Sequence, residues 1–292
     1  MMISRSLALL AAALLTAGCI GRNAPPALGP LPFPADTIRA ERIADGVVHR
    51  FIYSREGPWA INVLDVDLSR CNAIVAVKGA DSAAGRIKTT AMLATLSGSR
   101  RVLGGVNADF FSLTTGVPTN LLVVDDRMLT PPSVQPVLAF DSAGAPSIER
   151  FSLSGADLRP FHPHEAVGGR PAIVRDSVIL AAVDTFGQAS FIARNPRTAA
   201  GIANRGHRVM LVAVDGRQAG YSAGMSLREL ATLMRALGAR DAINLDGGGS
   251  TTLVVADPRA GALRIANHPS DAGGERAVGD ALAVVRGASC GR

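Results

Sequence analysis

The chain has 292 residues, of which 48% are hydrophobic and 18% are charged, so it can fill a sizeable core and is not a largely disordered polypeptide. Its formal net charge is +6, and all but two of its 30 basic residues are arginines. Those arginines are scattered, with no run longer than Arg100-Arg101, whereas proteins that bind nucleic acid usually concentrate their charge. We therefore expect no nucleic-acid partner.

Residues 1–18 have the pattern of a signal peptide. Arg5 supplies the positive charge, and the apolar stretch 7–15 is too short to span a bilayer comfortably. The sequence Leu-Thr-Ala-Gly-Cys that ends at Cys19 resembles a bacterial lipoprotein cleavage site, which would make Cys19 the lipidated residue. We expect a lipid anchor in a membrane and a cell-envelope location, either periplasmic or tethered to the outer membrane. An ordinary secretory signal cleaved near the same place is the alternative.

The rest of the chain divides into a proline-rich segment, residues 19–40, and a predicted single domain, residues 41–292. We interpret the first as a stiff tether, and the second has no internal repeat. If Cys19 is lipidated, Cys71 and Cys290 remain, and we predict a disulfide between them because exported cysteines can pair. Two buried free thiols remain the alternative.

Strand patterns dominate the predicted domain, and helices are few. Apolar runs and alternations predict strands over residues 47–53, 59–68, 73–78, 101–106, 121–124, 127–129, 137–140, 171–180, 198–203 and 208–214. A short helix is predicted over residues 89–98, and a clearer one follows Ser226, which forms a capping box with Glu229. We expect an α+β fold whose core is a large mixed β-sheet.

The most informative motif follows that helix. Asn244, Asp246, the glycines 247–249, Ser250 and Thr251 lie between two apolar runs. Three successive glycines cost much backbone entropy and usually mark unusual dihedrals or a close approach to the backbone. An acid and an amide at the lip of such a turn can hold a polar ligand, although a tight hairpin whose hydroxyls cap their own turn is the alternative. The motif is not a Walker loop, because no lysine follows the last glycine.

Other polar clusters lie at the ends of predicted strands, and together with the glycine motif they resemble the phosphodiester glycosidase family, which includes the lysosomal uncovering enzyme. The matching segments, in the family's order, are residues 107–111, 116–124, 196–201, 212–216 with Ser222, 244–251 and 275–284. Two positions depart from the family's pattern: Asp109 stands where relatives often have glycine, and Asp280 stands where a small or amide residue is commoner.

The resemblance implies hydrolysis of a sugar-1-phosphodiester in surface glycans or glycolipids. We expect no cofactor, and the residues suggest no metal site. A phosphate monoester leaves readily, so such a site needs cations and amides around the phosphate and a carboxylate near the anomeric carbon. Asp246 is the preferred carboxylate, Arg197 the preferred cation, and Asp109 a further catalytic candidate. The predicted substrate-binding residues are Asn107, Asn120, Ser222, Asn244, Gly247, Gly248, Gly249, Ser250, Thr251 and Arg276.

Several alternatives remain open on the sequence. Asp215 and Glu275 are secondary candidates, since Asp215-Gly216 is also a common turn. Arg197 could instead be a structural arginine that binds carbonyl groups. His162 and His164 lack further ligands at metal spacing, which favours a loop. The chain could also be a carbohydrate- or envelope-binding lipoprotein without turnover, whereas a serine hydrolase is disfavoured because Ser250 lacks a nucleophile-elbow context.

We predict that Cys19→Ala abolishes lipidation and tight membrane association. A single acyl chain binds a bilayer only marginally, so stable anchoring depends on several chains. Detergent phase partitioning of wild type and variant measures the effect, with Cys290→Ala as the matched control that keeps its anchor. A wild-type protein found in the aqueous phase would contradict the prediction.

Overall fold

The structure, a computed structural model, describes residues 28–78, 83–187 and 189–287. The predicted signal peptide, Cys19 and Cys290 lie outside the described residues. Cys71 is disulfide-bonded; its predicted pairing with Cys290 stays a prediction. Within the described ranges, no helix has the length and apolar character needed to cross a membrane.

The largest sheet, here called the large sheet, has eight strands. In spatial order they are Thr37–Ala44, Val47–Ser54, Trp59–Asp67, Arg208–Val214, Arg197–Ala203, Asp241–Asn244, Ala172–Arg175 and Val178–Ile179. The two strands predicted at its centre, over residues 198–203 and 208–214, are confirmed. They pair as an antiparallel hairpin, from Arg197↔Val214 to Ala203↔Arg208. The single strand predicted over residues 171–180 is instead two short strands.

Two five-stranded sheets pack beside the large sheet. The second sheet, in spatial order, contains Leu263–Ile265, Leu253–Ala256, Val102–Asn107, Ala281–Arg286 and Asn72–Val77. The third sheet contains Pro146–Arg150, Pro136–Phe140, Glu165–Gly168, Leu122–Val124 and Arg127–Thr130. Two small ribbons pair Ser152–Ser154 with Asp157–Arg159, and Ala277–Val278 with Ile87–Lys88.

Helices are few, as predicted, but the expected mixed sheet is wrong. The α-helices are Thr89–Leu96, Ala182–Thr185, Ala189–Ile192 and Leu227–Ala236, and the 3₁₀ turns are Leu68–Arg70, Asn204–Gly206 and Gly248–Ser250. Every pairing between described strands of the three large sheets is antiparallel. Parallel strands need crossover connections, usually helices, and this chain has too few helices to supply them. The fold is therefore more β-rich than a balanced α+β protein.

The large sheet is covered on both faces. Successive side chains of a strand point to opposite faces, so Trp59–Asp67 sends Ile61 and Val63 toward one core and Leu64 and Val66 toward the other. The first core lies under the helix Leu227–Ala236, whose predicted capping box between Ser226 and Glu229 is present. The second core joins the large sheet to the other two sheets.

Part of the segment predicted as a tether packs on the domain. Leu31 and Phe33 lie against the core beneath the helix, and the Phe33 ring is 4.8 Å from the Trp59 ring. The first strand then begins at Thr37. The ordered region thus starts before residue 41, because apolar side chains in the proline-rich stretch find a surface to cover.

A buried ion network joins three neighbouring strands of the large sheet. Asp65 is 7% exposed and accepts hydrogen bonds from Arg50 at 2.8 Å and from Arg208 at 2.6 and 2.8 Å. Both oxygens of the carboxylate are occupied. Buried charges are tolerated when they are paired and hydrogen-bonded, so this network depends on all three members.

We predict that Asp65→Ala lowers the free energy of unfolding by about 3–5 kcal/mol, because it removes the buried carboxylate that pairs with both Arg50 and Arg208. Asp184→Ala, which removes the partner of the exposed Arg228, is the matched control and should cost less than about 1 kcal/mol. Urea unfolding of both variants measures the difference. Equal, small losses would show that the network does not hold the strands together.

Candidate active site

A cavity of about 200 Å³ opens beside the glycine motif. It brings together many of the predicted site residues with two phenylalanines that sequence reasoning did not assign to it. Its lining consists of Phe110, Phe191, Asn195, Pro196, Arg197, Arg217, Asn244, Asp246, Gly247, Gly248, Gly249 and Arg276. Arg217, which sequence reasoning missed, directly follows the Asp215-Gly216 turn that it had noted.

The motif crosses from one sheet to another. The strand before it, Asp241–Asn244, belongs to the large sheet, and the strand after it, Leu253–Ala256, belongs to the second sheet. The hairpin alternative is therefore wrong, because the two apolar runs do not pair with each other. The Asp246 amide donates to Ala108 O at 2.9 Å, which places the carboxylate at the junction of the two sheets.

Asn107 fixes both ends of this crossing. Its Nδ2 donates to Asp246 O at 2.7 Å, and its Oδ1 accepts from Thr252 N at 3.1 Å and from Thr198 Oγ1 at 2.8 Å. The side chain is 1% exposed and both its polar atoms are engaged with the protein. This geometry gives Asn107 a positioning role and leaves it little capacity to bind a sugar.

The three glycines are each required by a close contact or a dihedral. A Cβ on Gly247 would lie 2.6 Å from Pro196 O, and one on Gly249 would lie 2.1 Å from both Arg276 Nη2 and Asp271 Oδ1. Gly248 has a φ of +62°, which residues with a side chain adopt only at a cost. The motif therefore lets the chain run directly beneath charged groups. The amide of Gly248, a predicted substrate-binding residue, instead donates to Pro196 O.

Asp246 is half-buried and lies at the cavity wall. Burial raises its pKa to about 6, while the nearby Ser250 hydroxyl, the charge of Arg276 and the Gly247 amide pull that pKa back toward its ordinary value. A carboxyl group with a pKa near the working pH can both accept and release a proton. Perturbed groups of this kind concentrate at functional sites.

The arginines around Asp246 differ in how far the protein occupies them. Arg197 donates from Nε to Met225 O at 2.8 Å and from Nη2 to Ala193 O at 2.7 Å, as the structural alternative anticipated. Burial lowers its pKa to about 10. Arg276 forms a two-point ion pair with Asp271, at 2.8 and 3.0 Å. Counting also Nη2 to Phe191 O, the protein uses three of the five N–H donors of Arg197 and two of the five of Arg276.

Three other predicted residues lie outside the cavity lining, and each has a local task. Asn120 donates to Pro136 O at 2.9 Å and accepts from Ser133 N at 2.8 Å. Ser222 donates to Asp215 O at 2.6 Å. Glu275 accepts from Thr90 N at 2.8 Å and so binds the first turn of the helix Thr89–Leu96. Their partners are distant in sequence, so no local signal could have revealed these tasks.

Asp215 supports the glycine motif indirectly, through Asn267. Its Oδ1 accepts from Asn267 Nδ2 at 3.0 Å and from the His268 amide at 2.9 Å, and Asn267 Nδ2 also donates to Thr251 O at 3.1 Å. Burial raises the pKa of Asp215 to about 6. The carboxylate reaches the motif only through Asn267, which sequence reasoning did not single out.

Asp109 and Asp280, the two departures from the family's pattern, touch each other. The Asp109 amide donates to Asp280 Oδ1 at 2.8 Å, and the Asn120 amide donates to Asp109 Oδ2 at 2.9 Å. Burial raises the pKa of Asp280 to about 7. Burial, together with the charge of Asp280, raises the pKa of Asp109 well above its ordinary value. Asp109 does not line the cavity, so its predicted catalytic role finds no direct support in the geometry.

Buried polar atoms without a partner gather around the motif. Within the described residues they include Asn244 Oδ1, Ser250 Oγ, Thr251 Oγ1, Thr252 Oγ1 and Asp280 Oδ2. Buried polar groups nearly always have a hydrogen-bond partner, so a concentration of unpaired atoms marks a place where water or a ligand belongs. No group of three or more His, Cys, Asp or Glu side chains within the described ranges is arranged to hold a metal ion.

The family model described as phosphodiester glycosidase matches residues 100–285, whereas no curated protein matches the whole sequence significantly. Among solved structures, the catalytic domain of zebrafish N-acetylglucosamine-1-phosphodiester alpha-N-acetylglucosaminidase, auto-inhibited by its pro-peptide, is 18% identical with a TM-score of 0.63. That match covers 89% of this chain and 86% of the zebrafish chain.

Two further structures share the fold. A hypothetical protein from Synechocystis is 16% identical over 90% of this chain, with a TM-score of 0.65, and this chain covers 64% of its length. A protein from Burkholderia pseudomallei, named as a candidate exported protein, is 22% identical with a TM-score of 0.60, over 78% of this chain and 74% of its own. At such identities the likeness establishes the fold and leaves the chemistry to the site.

We predict that the protein is more stable at pH 5 than at pH 8, and that Asp280→Asn removes part of this difference. A carboxyl with a raised folded-state pKa binds more protons when folded. Its contribution is present below the unfolded value of about 3.9 and is lost as the pH rises through about 7 for Asp280.

One pKa unit corresponds to about 1.4 kcal/mol, so we expect Asp280→Asn to gain about 1–3 kcal/mol over wild type at pH 8 and little at pH 5. Urea unfolding at both pH values gives the comparison, and the exposed Asp176→Asn serves as the control. A variant that loses the same stability at both pH values would show that Asp280 acts only as a hydrogen-bond acceptor.

Proposed function

This chain belongs to the phosphodiester glycosidase family, and we propose that it is an exported enzyme that hydrolyses the bond between a sugar and the phosphate of a sugar-1-phosphodiester. The observation that carries the proposal is the position of Asp246: a half-buried carboxyl with a pKa of about 6 at the wall of a cavity that three arginines also line. One acid among several cations suits a substrate that carries a phosphate anion next to the bond to be broken.

Asp246 is the carboxylate of the proposed reaction. With a pKa of about 6 it is mostly ionised at neutral pH and can either accept a proton from water or stabilise an oxocarbenium-like centre. Its backbone is held from both sides, by Asn107 Nδ2 on its carbonyl and by Ala108 O on its amide. A group that must meet an anomeric carbon needs this kind of fixed position.

The leaving phosphate monoester needs charge stabilisation more than it needs a proton. Arg217 and Arg276 line the cavity, and their charges stabilise the phosphate as its bond to the sugar breaks. Asn244 Oδ1, an unpaired atom on a residue of the cavity lining, is suited to a hydrogen bond with a sugar hydroxyl. The donors expected of Arg197 are largely committed to carbonyls, so its role is to shape the cavity wall and to add its charge.

The second candidate is a binding protein that uses the same cavity without turnover. Fold alone does not decide between them. The buried hydroxyls of the motif have no hydrogen-bond partner, which is consistent with either an enzyme or a binding protein. The raised pKa of a carboxyl at the cavity wall favours the enzyme. Export rests on the N-terminal signal pattern, and the Burkholderia protein of similar fold is itself named as a candidate exported protein.

We predict that Asp246→Asn reduces release of sugar from a sugar-1-phosphodiester by at least about 10²-fold, with the fold intact. The amide keeps the shape but cannot carry the negative charge. The measurement is sugar release from a panel of sugar-1-phosphodiesters with different sugars, together with the melting curve of each protein. The exposed Asp157→Asn is the matched control, because it makes the same chemical change outside the cavity lining.

The panel also separates the two candidates. Binding of a panel member by wild type without release of sugar supports the binding protein. Near wild-type turnover by Asp246→Asn with a normal melting curve would exclude Asp246 as the reacting carboxylate.

A further inference from the structure

Arg170 stands apart from the other arginines near the cavity. Its guanidinium carbon lies 4.5 Å from the centre of the Phe110 ring, and Phe110 lines the cavity. Its Nε is buried and has no hydrogen-bond partner within the described residues. Within the described ranges, no carboxylate forms an ion pair with the Arg170 guanidinium. Sequence reasoning gave this residue no role.

Each neighbouring arginine already donates some of its N–H groups to the protein. Arg197 donates to backbone carbonyls, Arg276 is held by the Asp271 carboxylate, and Arg217 donates twice to Asn195 Oδ1, at 2.9 and 3.2 Å. An anion that enters the cavity must compete with those partners. It need not compete for Arg170.

The position of Arg170 is fixed by the site itself. Its amide donates to Asn244 O at 2.8 Å, and its carbonyl accepts from Asn244 Nδ2 at 2.7 Å. Asn244 is two residues before Asp246 and also lines the cavity. The charge of Arg170 lowers the pKa of both Asp246 and Asp109, so the guanidinium lies within electrostatic reach of the proposed reacting carboxylate.

We propose that Arg170 binds the phosphate of the substrate, with its planar guanidinium held flat on Phe110 and its free donors directed to the two non-bridging oxygens of the diester. This inference rests on the proposed function, because it assigns the phosphate-binding group of that same site. A buried Nε with no hydrogen-bond acceptor is costly. A bound phosphate offsets that cost, because the planar set of guanidinium donors matches two phosphate oxygens at once.

The direct test is binding of diethyl phosphate, a diester without a sugar, measured by isothermal titration. We expect Arg170→Gln to weaken binding about 10- to 100-fold, since it removes charge-assisted hydrogen bonds, and Arg170→Lys to recover part of the loss because it keeps the charge. Arg240→Gln makes the same change beside the opposite end of the strand Asp241–Asn244, on an exposed arginine paired with Asp176, and should bind as wild type does.

Melting curves separate binding from structure. Because the Arg170 guanidinium forms no hydrogen bond or ion pair within the described residues, Arg170→Gln loses only the contact with the Phe110 ring. The variant should therefore melt within a few degrees of wild type in the absence of ligand. If Arg170→Gln and Arg170→Lys both melt much earlier, Arg170 is a structural residue and the proposal is wrong. It is equally wrong if Arg170→Gln binds diethyl phosphate as tightly as wild type, or if wild type does not bind it.

Turnover gives an independent outcome. Where wild type hydrolyses both a sugar-1-phosphodiester and an uncharged aryl glycoside of the same sugar, Arg170→Gln should raise KM for the phosphodiester by the larger factor. An equal loss on both substrates would overturn the assignment. If wild type binds diethyl phosphate through Arg170 and yet releases sugar from no phosphodiester, the proposed enzymatic function fails, and the assignment of Arg170 as an anion-binding residue stands.

Discussion

The site depends on one side chain, that of Asn107, at the end of a strand in the second sheet. Its amide and carbonyl groups bind Asp246, Thr252 and Thr198, and the last of these lies on the large sheet. A single buried amide thus joins two sheets and both ends of the loop that crosses between them. Connecting loops are more mobile than the strands they join, and this amide fixes the loop that carries Asp246, the carboxylate of the proposed reaction.

A second constraint is the crowding beneath the motif. The ion pair of Arg276 and Asp271 occupies the space where a side chain on Gly249 would lie, while Asn267, from the same segment, holds the Thr251 carbonyl. The segment 267–276 therefore supports the loop through Asn267 and also supplies Arg276, one of the arginines that line the cavity. Asp215 enters this arrangement through Asn267, so its influence on the cavity is that of a support.

Local sequence patterns predicted those features whose causes are local. The capping box of Ser226 and Glu229, the strands over residues 198–203 and 208–214 and the scarcity of helices follow from residues a few positions apart. The glycine motif indicated the cavity because its backbone requirement lies in three consecutive residues. The pairing pattern of the sheets did not follow, because it depends on which strands meet across the whole chain.

The roles of polar residues at the site were harder to predict for the same reason. Asn107 and Asp246 are 139 positions apart, and the carbonyls that occupy Arg197 come from separate segments. Whether an arginine is free or committed is a property of the folded molecule, which is why Arg170 carried no signal in the sequence.

The close contact between Gly249 and the ion pair has an evolutionary consequence. A methyl group at position 249 would displace Arg276 or Asp271, since both atoms lie 2.1 Å from its place. Both atoms end flexible side chains, so a larger residue at position 249 requires the ion pair either to move aside or to be lost. Substitutions at positions 249, 271 and 276 are therefore coupled, and we expect the three positions to covary among relatives.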